Sequence, residues 1–110
     1  MIIVYPGQAN VLRMPIVAKA SGNPVTAGTV NFYLKAQTGV HAGKWYRGSD
    51  ATWQAAEAIA GVASNSGDSG WELSLGAGAW ASWVHYSFYA KESGNLHLPV
   101  DKDIMCRLRL

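Results

Sequence analysis

The sequence predicts an all-β protein, folded as an antiparallel sandwich or barrel of roughly six to eight short strands. Two observations lead to this prediction. Apolar and polar residues alternate along several short segments, so that each segment buries one face and leaves the other in solvent. Turn-forming residues separate these segments at intervals of roughly ten residues, which is typical of sandwiches and barrels.

The stretch 11–36 shows this alternation most clearly. Its first half places on one face Leu12, Met14, Ile16 and Ala18. Its second half places on one face Val30, Phe32 and Leu34. Residues 21–24 (Ser-Gly-Asn-Pro) favour a turn between the halves, because glycine and asparagine tolerate positive φ and proline fixes its own φ. The pattern predicts two strands that pair with each other as antiparallel neighbours.

Alternation and turn residues predict further strands at 2–5, 44–47, 71–75, 83–91 and 104–110. The segment at 83–91 is the most aromatic, and its inward face is predicted to carry Val84, Tyr86, Phe88 and Ala90. Residues 64–70 are small and polar and predict a loop. The connector at 76–82 is compatible with a helical turn.

One short helix is predicted at 51–60, where alanines give the chain its highest helix propensity. Asp50 or Ser49 suits the N-cap position, and Gly61 suits the position after the last turn. Trp53, Ala56 and Ala60 recur at spacings of three and four and form one apolar stripe. We expect this helix to cross one end of the sheet.

The composition indicates one globular domain spanning residues 1–110, with 49% apolar and 15% charged residues. A net charge of +2 is too small to predict a nucleic-acid partner, and the apolar runs are too short to predict a membrane partner. The N-terminus lacks the pattern of a signal peptide, so synthesis in the cytoplasm is expected. The single cysteine, Cys106, excludes an internal disulfide and fits a reducing compartment.

No catalytic, cofactor or metal site is predicted. His41, His85 and His97 lack the spacing of converging zinc ligands, and no GxSxG elbow surrounds a serine. The polar loop at 65–69 lacks the spacing and the terminal glutamate of an EF-hand. The carboxylates fall at positions typical of turns and surfaces. The sequence therefore favours a protein that is not an enzyme.

The unusual feature of the composition is its aromatic content, with five Trp and five Tyr but only two Phe. Trp and Tyr carry a polar group and favour half-buried sites and interfaces. We expect five of them in loops or on outward strand positions: Trp45, Tyr46, Trp80, Trp83 and Tyr89. Three interpretations remain open at this point, namely caps on the ends of the sandwich, a protein interface, and a platform on which sugars stack.

The order of several motifs resembles a known family. The chain carries GNPVTAGTV at 22–30, KWY at 44–46, an insertion at 50–57, GWEL at 70–73 and a late strand at 86–91. In this order it resembles the small immunoglobulin-like modules of bacteriophage tails and baseplates and of prophage structural proteins, within the bacterial Ig-like superfamily. The resemblance implies an Ig-like sandwich, with no catalytic residues to transfer.

The resemblance also implies a function. We expect a non-enzymatic structural or interaction protein of a phage or prophage virion, in the tail, the baseplate or the head decoration. Its expected partners are other virion or surface proteins and further copies of itself. The alternative is a carbohydrate-binding or adhesion module, in which a glycan stacks on Trp45, Trp80 and Trp83.

Overall fold

The computed structural model describes residues 2–15, 17–18, 23, 28–65, 70–92, 97–98 and 102–106. Within these ranges the regular structure is almost entirely β, which confirms the all-β prediction. One turn of 3₁₀ helix spans Ala77–Ala79, inside the connector that the sequence makes compatible with a helical turn. The described strands are β1 (Ile2–Val4), β2 (Asn10–Pro15), β3 (Val17–Ala18), β4 (Val30–Ala36), β5 (Trp45–Arg47), β6 (Thr52–Gln54), β7 (Gly61–Val62), β8 (Ser64–Asn65), β9 (Gly70–Leu75), β10 (Val84–Glu92), β11 (His97–Leu98) and β12 (Lys102–Cys106).

The larger sheet has seven strands in the order β1-β12-β10-β4-β5-β6, with β7 also paired to β4. Its centre is the antiparallel pair of β4 and β10, which lie side by side from the Val30–Glu92 pair to the Ala36–Tyr86 pair. Strand β1 runs parallel to β12 at one edge, and β6 forms the other edge. This sheet provides one wall of the core.

A second sheet of three strands, in the order β2-β9-β8, provides the opposite wall, and β3 and β11 form a separate two-stranded sheet. Leu12, Trp71 and Leu75 from the three-stranded sheet belong to the same buried cluster as Phe32 and Phe88 of the larger sheet. The described residues therefore form a sandwich-like arrangement around a common core.

The predicted inward faces are confirmed where the structure describes them. The fully buried side chains include Leu12, Val30, Phe32, Leu34, Phe88 and Ala90. Ile16 lies outside the described residues, as do 107–110 of the predicted last strand. Ser64 and Asn65 form β8 rather than the start of a loop, because they pair with Glu72 and Trp71 of β9.

The predicted pairing within 11–36 is wrong. Strand β2 pairs with β9 in the smaller sheet, whereas β4 pairs with β10, β5 and β7 in the larger sheet. Alternation determines which side chains of a strand face the core, but it carries no information on which strand lies next to it. Each of the two strands has one apolar face, and each buries that face in the common core from a different sheet.

The helix predicted at 51–60 is also wrong. Residues 48–51 form a turn, Thr52–Gln54 form β6, and a bend at 55–56 followed by a segment without regular structure leads to β7. The backbone N–H of Ala60 donates to the Phe32 carbonyl of β4 (2.8 Å), and Ala51 has a φ of 56°, outside the α-helical region. Pairing with the sheet thus overrides the local helix propensity of the alanines.

Candidate interaction surfaces

Two of the five aromatic residues are buried: Tyr46 does not occupy an outward strand position, and Trp80 lies in the predicted connector but is not exposed. Tyr46 is 4% exposed because it is the middle residue of β5, where alternation turns it inward opposite Trp53. Trp80 is 6% exposed and follows the 3₁₀ turn, which folds it over one end of the core. The other three, Trp45, Trp83 and Tyr89, are half-buried or exposed.

Trp80 and Trp53 belong to a stack of rings that closes this end of the core. The Trp80 ring stands perpendicular to Tyr86 at 5.3 Å, and Trp53 lies between Tyr86 (5.9 Å) and His41 (5.1 Å). The Tyr86 hydroxyl accepts a hydrogen bond from the Ala81 N–H (2.8 Å). For Trp80, the interpretation as a cap on the core therefore fits its position.

Trp45 and Tyr89 meet Tyr33 on the outer face of the larger sheet. Tyr33 pairs with Tyr89 across β4 and β10, and Lys35 pairs with Trp45 across β4 and β5. The Lys35 Nζ lies 5.3 Å from the centre of the Trp45 ring, and the Lys91 Nζ lies 4.9 Å from that of Tyr33. We call these five residues the outer cluster; such cation–ring contacts contribute about 0.5–1 kcal/mol each at exposed sites.

The rings of the outer cluster do not lie in one plane. Tyr33 and Trp45 meet at 87° with centres 6.3 Å apart, and Trp45 and Tyr89 meet at 42° with centres 5.7 Å apart. A sugar that stacks across several rings needs their faces side by side. The outer cluster presents edges, tilted rings and ammonium groups instead.

An open groove of about 860 Å³ adjoins the outer cluster. Tyr33 lines it together with Arg47 of β5, residues 48–49 of the following turn, Gln54 of β6 and residues 56–62. On its wall Ile59 is 43% exposed and Val62 is 62% exposed, so two large apolar side chains face solvent. We call this region the outer groove.

The wall of the outer groove is held by backbone hydrogen bonds to both neighbouring segments. The Gly48 N–H donates to the Ile59 carbonyl (3.1 Å), and the N–H groups of Ala60 and Ala63 donate to carbonyls of β4 (2.8 Å each). A Cβ atom at Gly48 would come within 1.8 Å of the Ala60 carbonyl oxygen. Glycine is therefore required here for the close approach of two backbones.

Paired charges surround the outer groove. The Glu57 Oε1 lies 2.8 Å from the Lys91 Nζ, and Arg47 binds Asp50 through both its Nε and Nη2. The Arg47 guanidinium and the Thr52 hydroxyl hold the pKa of the Asp50 carboxyl well below its usual range. The hydrogen bond to Glu57 raises the pKa of the Lys91 ammonium. Both carboxylates are thus engaged with a cation.

Further large apolar side chains are exposed outside the outer groove. Trp83 directly precedes β10 and is 61% exposed, with a φ of 61° in the left-handed region. For a residue with a side chain, that conformation costs about 1–2 kcal/mol. Tyr5 and Ile3 are exposed beside β12, and Val40 is exposed near Val84.

The accessible positions of Trp45, Trp83 and Tyr89 were predictable from the sequence, but most of the outer cluster and the outer groove was not. The exposure of Ile59 and Val62 was not predicted, because a helix at 51–60 replaces the segment that forms the wall of the outer groove. Tyr33 had a usable signal, since it alternates with Phe32 and Leu34 and therefore points outward from β4. Val40 lies in a loop, where the sequence carries no periodic signal.

Among the residues that the structure describes, no group of three His, Cys, Asp or Glu side chains is placed to hold a metal ion. Within the same residues, no helix has the length and apolarity needed to span a membrane. Comparison of the chain with protein-family models, with curated proteins and with solved structures gives no match.

Proposed function

We propose that this chain is a non-enzymatic interaction protein that binds other proteins through the outer groove. The observation that carries the proposal is the composition of that groove: apolar side chains exposed along an open wall, an aromatic floor and ion pairs at the rim. Aromatic and aliphatic centres with polar rims are typical of protein interfaces. The volume of about 860 Å³ accommodates several side chains of a partner.

The state of the charged groups supports binding rather than chemistry. A general acid or base at neutral pH needs a pKa near 7, whereas the pKa of Asp50 is lowered. Glu57 is held by Lys91 at 2.8 Å. In this proposal the charges orient a partner at the rim and take no part in a reaction.

We further propose that the fold is an immunoglobulin-like sandwich of the variable type. With the strands lettered in chain order, β12-β10-β4-β5-β6 corresponds to the order G-F-C-C′-C″, and β2-β9-β8 corresponds to B-E-D. The Tyr86 hydroxyl bonds to backbone five residues upstream, near the start of the strand that would be F, as a tyrosine corner does. Phe88 stands two residues later, where antibody domains have a cysteine, and packs edge-on against Phe32 at 4.6 Å.

The setting we propose is a phage or prophage virion, in the tail, the baseplate or the head decoration. It rests on the resemblance of the order of motifs to that of virion modules, and the strand order supports only the immunoglobulin-like part of that resemblance. A module of this kind acts by contact with neighbouring subunits, which is the role that the outer groove suits.

Carbohydrate binding is the alternative, and the half-buried pair Trp45 and Tyr89 is the observation in its favour. Trp80 cannot belong to the sugar-stacking platform expected from Trp45, Trp80 and Trp83, because it is buried in the core. The Lys35 ammonium also lies over the Trp45 ring, where a sugar would stack.

One binding experiment separates the two functions. The chain is immobilised and presented with the proteins encoded beside its own gene and, in parallel, with an array of oligosaccharides. We expect a protein to bind, and Val62→Glu to abolish binding. Val11→Glu is the matched control, because Val11 is 60% exposed on β2 of the other sheet and Val62 is 62% exposed. Binding of sugars alone, or protein binding that survives Val62→Glu, contradicts the proposal.

A further inference from the structure

We infer that residues 55–59 form a hinged strap over the outer groove, and that the ion pair between Glu57 and Lys91 holds this strap closed. The strap is the part of the wall that connects β6, at the edge of the larger sheet, to Ala60, which is bonded to β4. The motion itself requires no partner. Its role, which is to control access to the outer groove, rests on the proposed function.

The strap turns back from the edge of the larger sheet across its outer face. The sheet order β10-β4-β5-β6 places β6 three strands from β10, which corresponds to about 14 Å. Glu57 follows the end of β6 by only three positions, yet its Oε1 lies 2.8 Å from the Lys91 Nζ of β10. Lys91 belongs to the outer face, because its ammonium lies 4.9 Å from the centre of the Tyr33 ring. The strap and the outward side chains of Tyr33 and Gln54 therefore enclose the outer groove.

Both ends of the strap are anchored to the larger sheet. Before it, Gln54 pairs with Trp45 across β5 and β6. After it, the Ala60 N–H donates to the Phe32 carbonyl of β4 (2.8 Å). A segment held at two fixed ends moves as a hinge, with the change in φ and ψ confined to the residues next to the anchors.

Between these ends the strap has few contacts. Among the residues that the structure describes, the backbone groups of 55–58 make no hydrogen bond to other backbone groups. Ala55 and Ala56 are exposed, and an alanine side chain is a single methyl group. Local opening concentrates where buried contacts and backbone hydrogen bonds are few. The contacts that hold the strap are thus the bond from the Gly48 N–H to the Ile59 carbonyl (3.1 Å) and the ion pair of Glu57.

The ion pair is the contact that a change of conditions releases. The Lys91 side chain is 53% exposed and that of Glu57 is 44% exposed, so dissolved salt screens their attraction. An exposed pair of this kind shifts an equilibrium by up to about fivefold. Release of Glu57 leaves the Lys91 ammonium over the Tyr33 ring without its carboxylate. Opening therefore changes both the width of the outer groove and the charge beside it.

Amide hydrogen exchange, followed by NMR, measures the opening at the Gly48 N–H. This group exchanges when its bond to the Ile59 carbonyl breaks, which happens as the strap lifts. The Ala63 N–H is the internal reference, because its bond to the Val30 carbonyl (2.8 Å) lies outside the strap. We expect Glu57→Gln to accelerate exchange at Gly48 by about two- to fivefold and to leave Ala63 unchanged.

Two controls separate the ion pair from a general effect of charge. Glu72→Gln removes a carboxylate that pairs with Arg13 on the smaller sheet (3.1 Å), and it should leave exchange at Gly48 as in the wild type. Sodium chloride at about 1 M should accelerate exchange at Gly48 in the wild type and have little effect in Glu57→Gln, where no ion pair remains to be screened.

A charge swap gives the decisive comparison. Glu57→Lys alone places two ammonium groups together and should give the fastest exchange at Gly48. Addition of Lys91→Glu restores an ion pair with the wild-type net charge, so exchange should return toward the wild-type rate. Equal rates at Gly48 in all of these proteins, a swap that rescues nothing, or equal acceleration at Ala63 would overturn the inference. The test contains no partner, so its failure leaves protein binding by the outer groove untouched.

Discussion

Replacing Gly48 by alanine is expected to displace the wall of the outer groove. The new Cβ would lie 1.8 Å from the Ala60 carbonyl oxygen, whereas real Cβ atoms essentially never come closer than 3.0 Å to such an atom. The two backbones must therefore separate by about 1.2 Å or more. The atom in the way belongs to the backbone, so no side-chain rotation relieves the clash.

The size of the effect follows from the hydrogen bonds that hold the wall. Separation breaks the bond from Gly48 to Ile59 (3.1 Å) and strains the bond from Ala60 to Phe32 (2.8 Å). At about 0.5–1.5 kcal/mol each, the loss is about 1–3 kcal/mol in the free energy of unfolding. For a domain of this size that corresponds to a fall of about 4–12 °C in Tm.

Urea unfolding followed by tryptophan fluorescence measures this loss. Gly78→Ala is the control, because a Cβ at Gly78 would meet no atom within 4 Å. We expect the control to change stability by less than about 0.5 kcal/mol. Equal stability of the two variants would refute the close approach of residues 48 and 60, and with it the described shape of the outer groove.

Three further predictions concern the turn, the core and the ion pair. Ala51→Gly should raise the free energy of unfolding by about 0.5–1 kcal/mol in urea titration, because Ala51 has a φ of 56°; a loss of stability would contradict this. Phe88→Ala should lower it by about 3–5 kcal/mol, because Phe88 is fully buried against Phe32; a loss below 1 kcal/mol would show a core packed differently. Asp50→Asn should be less stable than the wild type at pH 7. The folded carboxyl has a lowered pKa, so its contribution is complete above the unfolded pKa of about 4 and disappears as the pH falls below it. The difference between the urea midpoints of the wild type and of Asp50→Asn should therefore shrink from pH 7 to pH 4 and again to pH 2. A difference that is the same at all three pH values would contradict the pairing with Arg47.

The faces of the strands were predictable from the sequence, but their neighbours were not. Val30, Phe32 and Leu34 are buried as alternation predicts, because a period of two follows directly from strand geometry. Strand β2 has the same pattern and nevertheless lies in the other sheet. Pairing depends on contacts between segments distant in the chain, such as those of Leu12 with Leu73, which a local pattern does not contain.

The outer groove could not be predicted, because the local helix propensity of residues 51–60 favours a different structure. Residues 51–60 have the composition of a helix, yet Trp53 packs among Tyr46, His41 and Tyr86, and Ala60 bonds to β4. These tertiary contacts outweigh the intrinsic preference of these residues for a helix, which is a few tenths of a kcal/mol per residue. The burial of Tyr46 beside half-buried Trp45 has a simpler origin, because adjacent residues of a strand point to opposite faces.

Light scattering on the size-exclusion peak, with the proteins encoded beside the gene added over a hundredfold range of concentration, tests directly whether the outer groove binds protein. The wild type, Val62→Glu and Val11→Glu are compared. We expect the wild type and Val11→Glu to shift from 11.8 kDa to the mass of a complex when the partner is added, while Val62→Glu remains at 11.8 kDa. Three proteins that stay at 11.8 kDa throughout, or three that rise alike, would contradict the proposal.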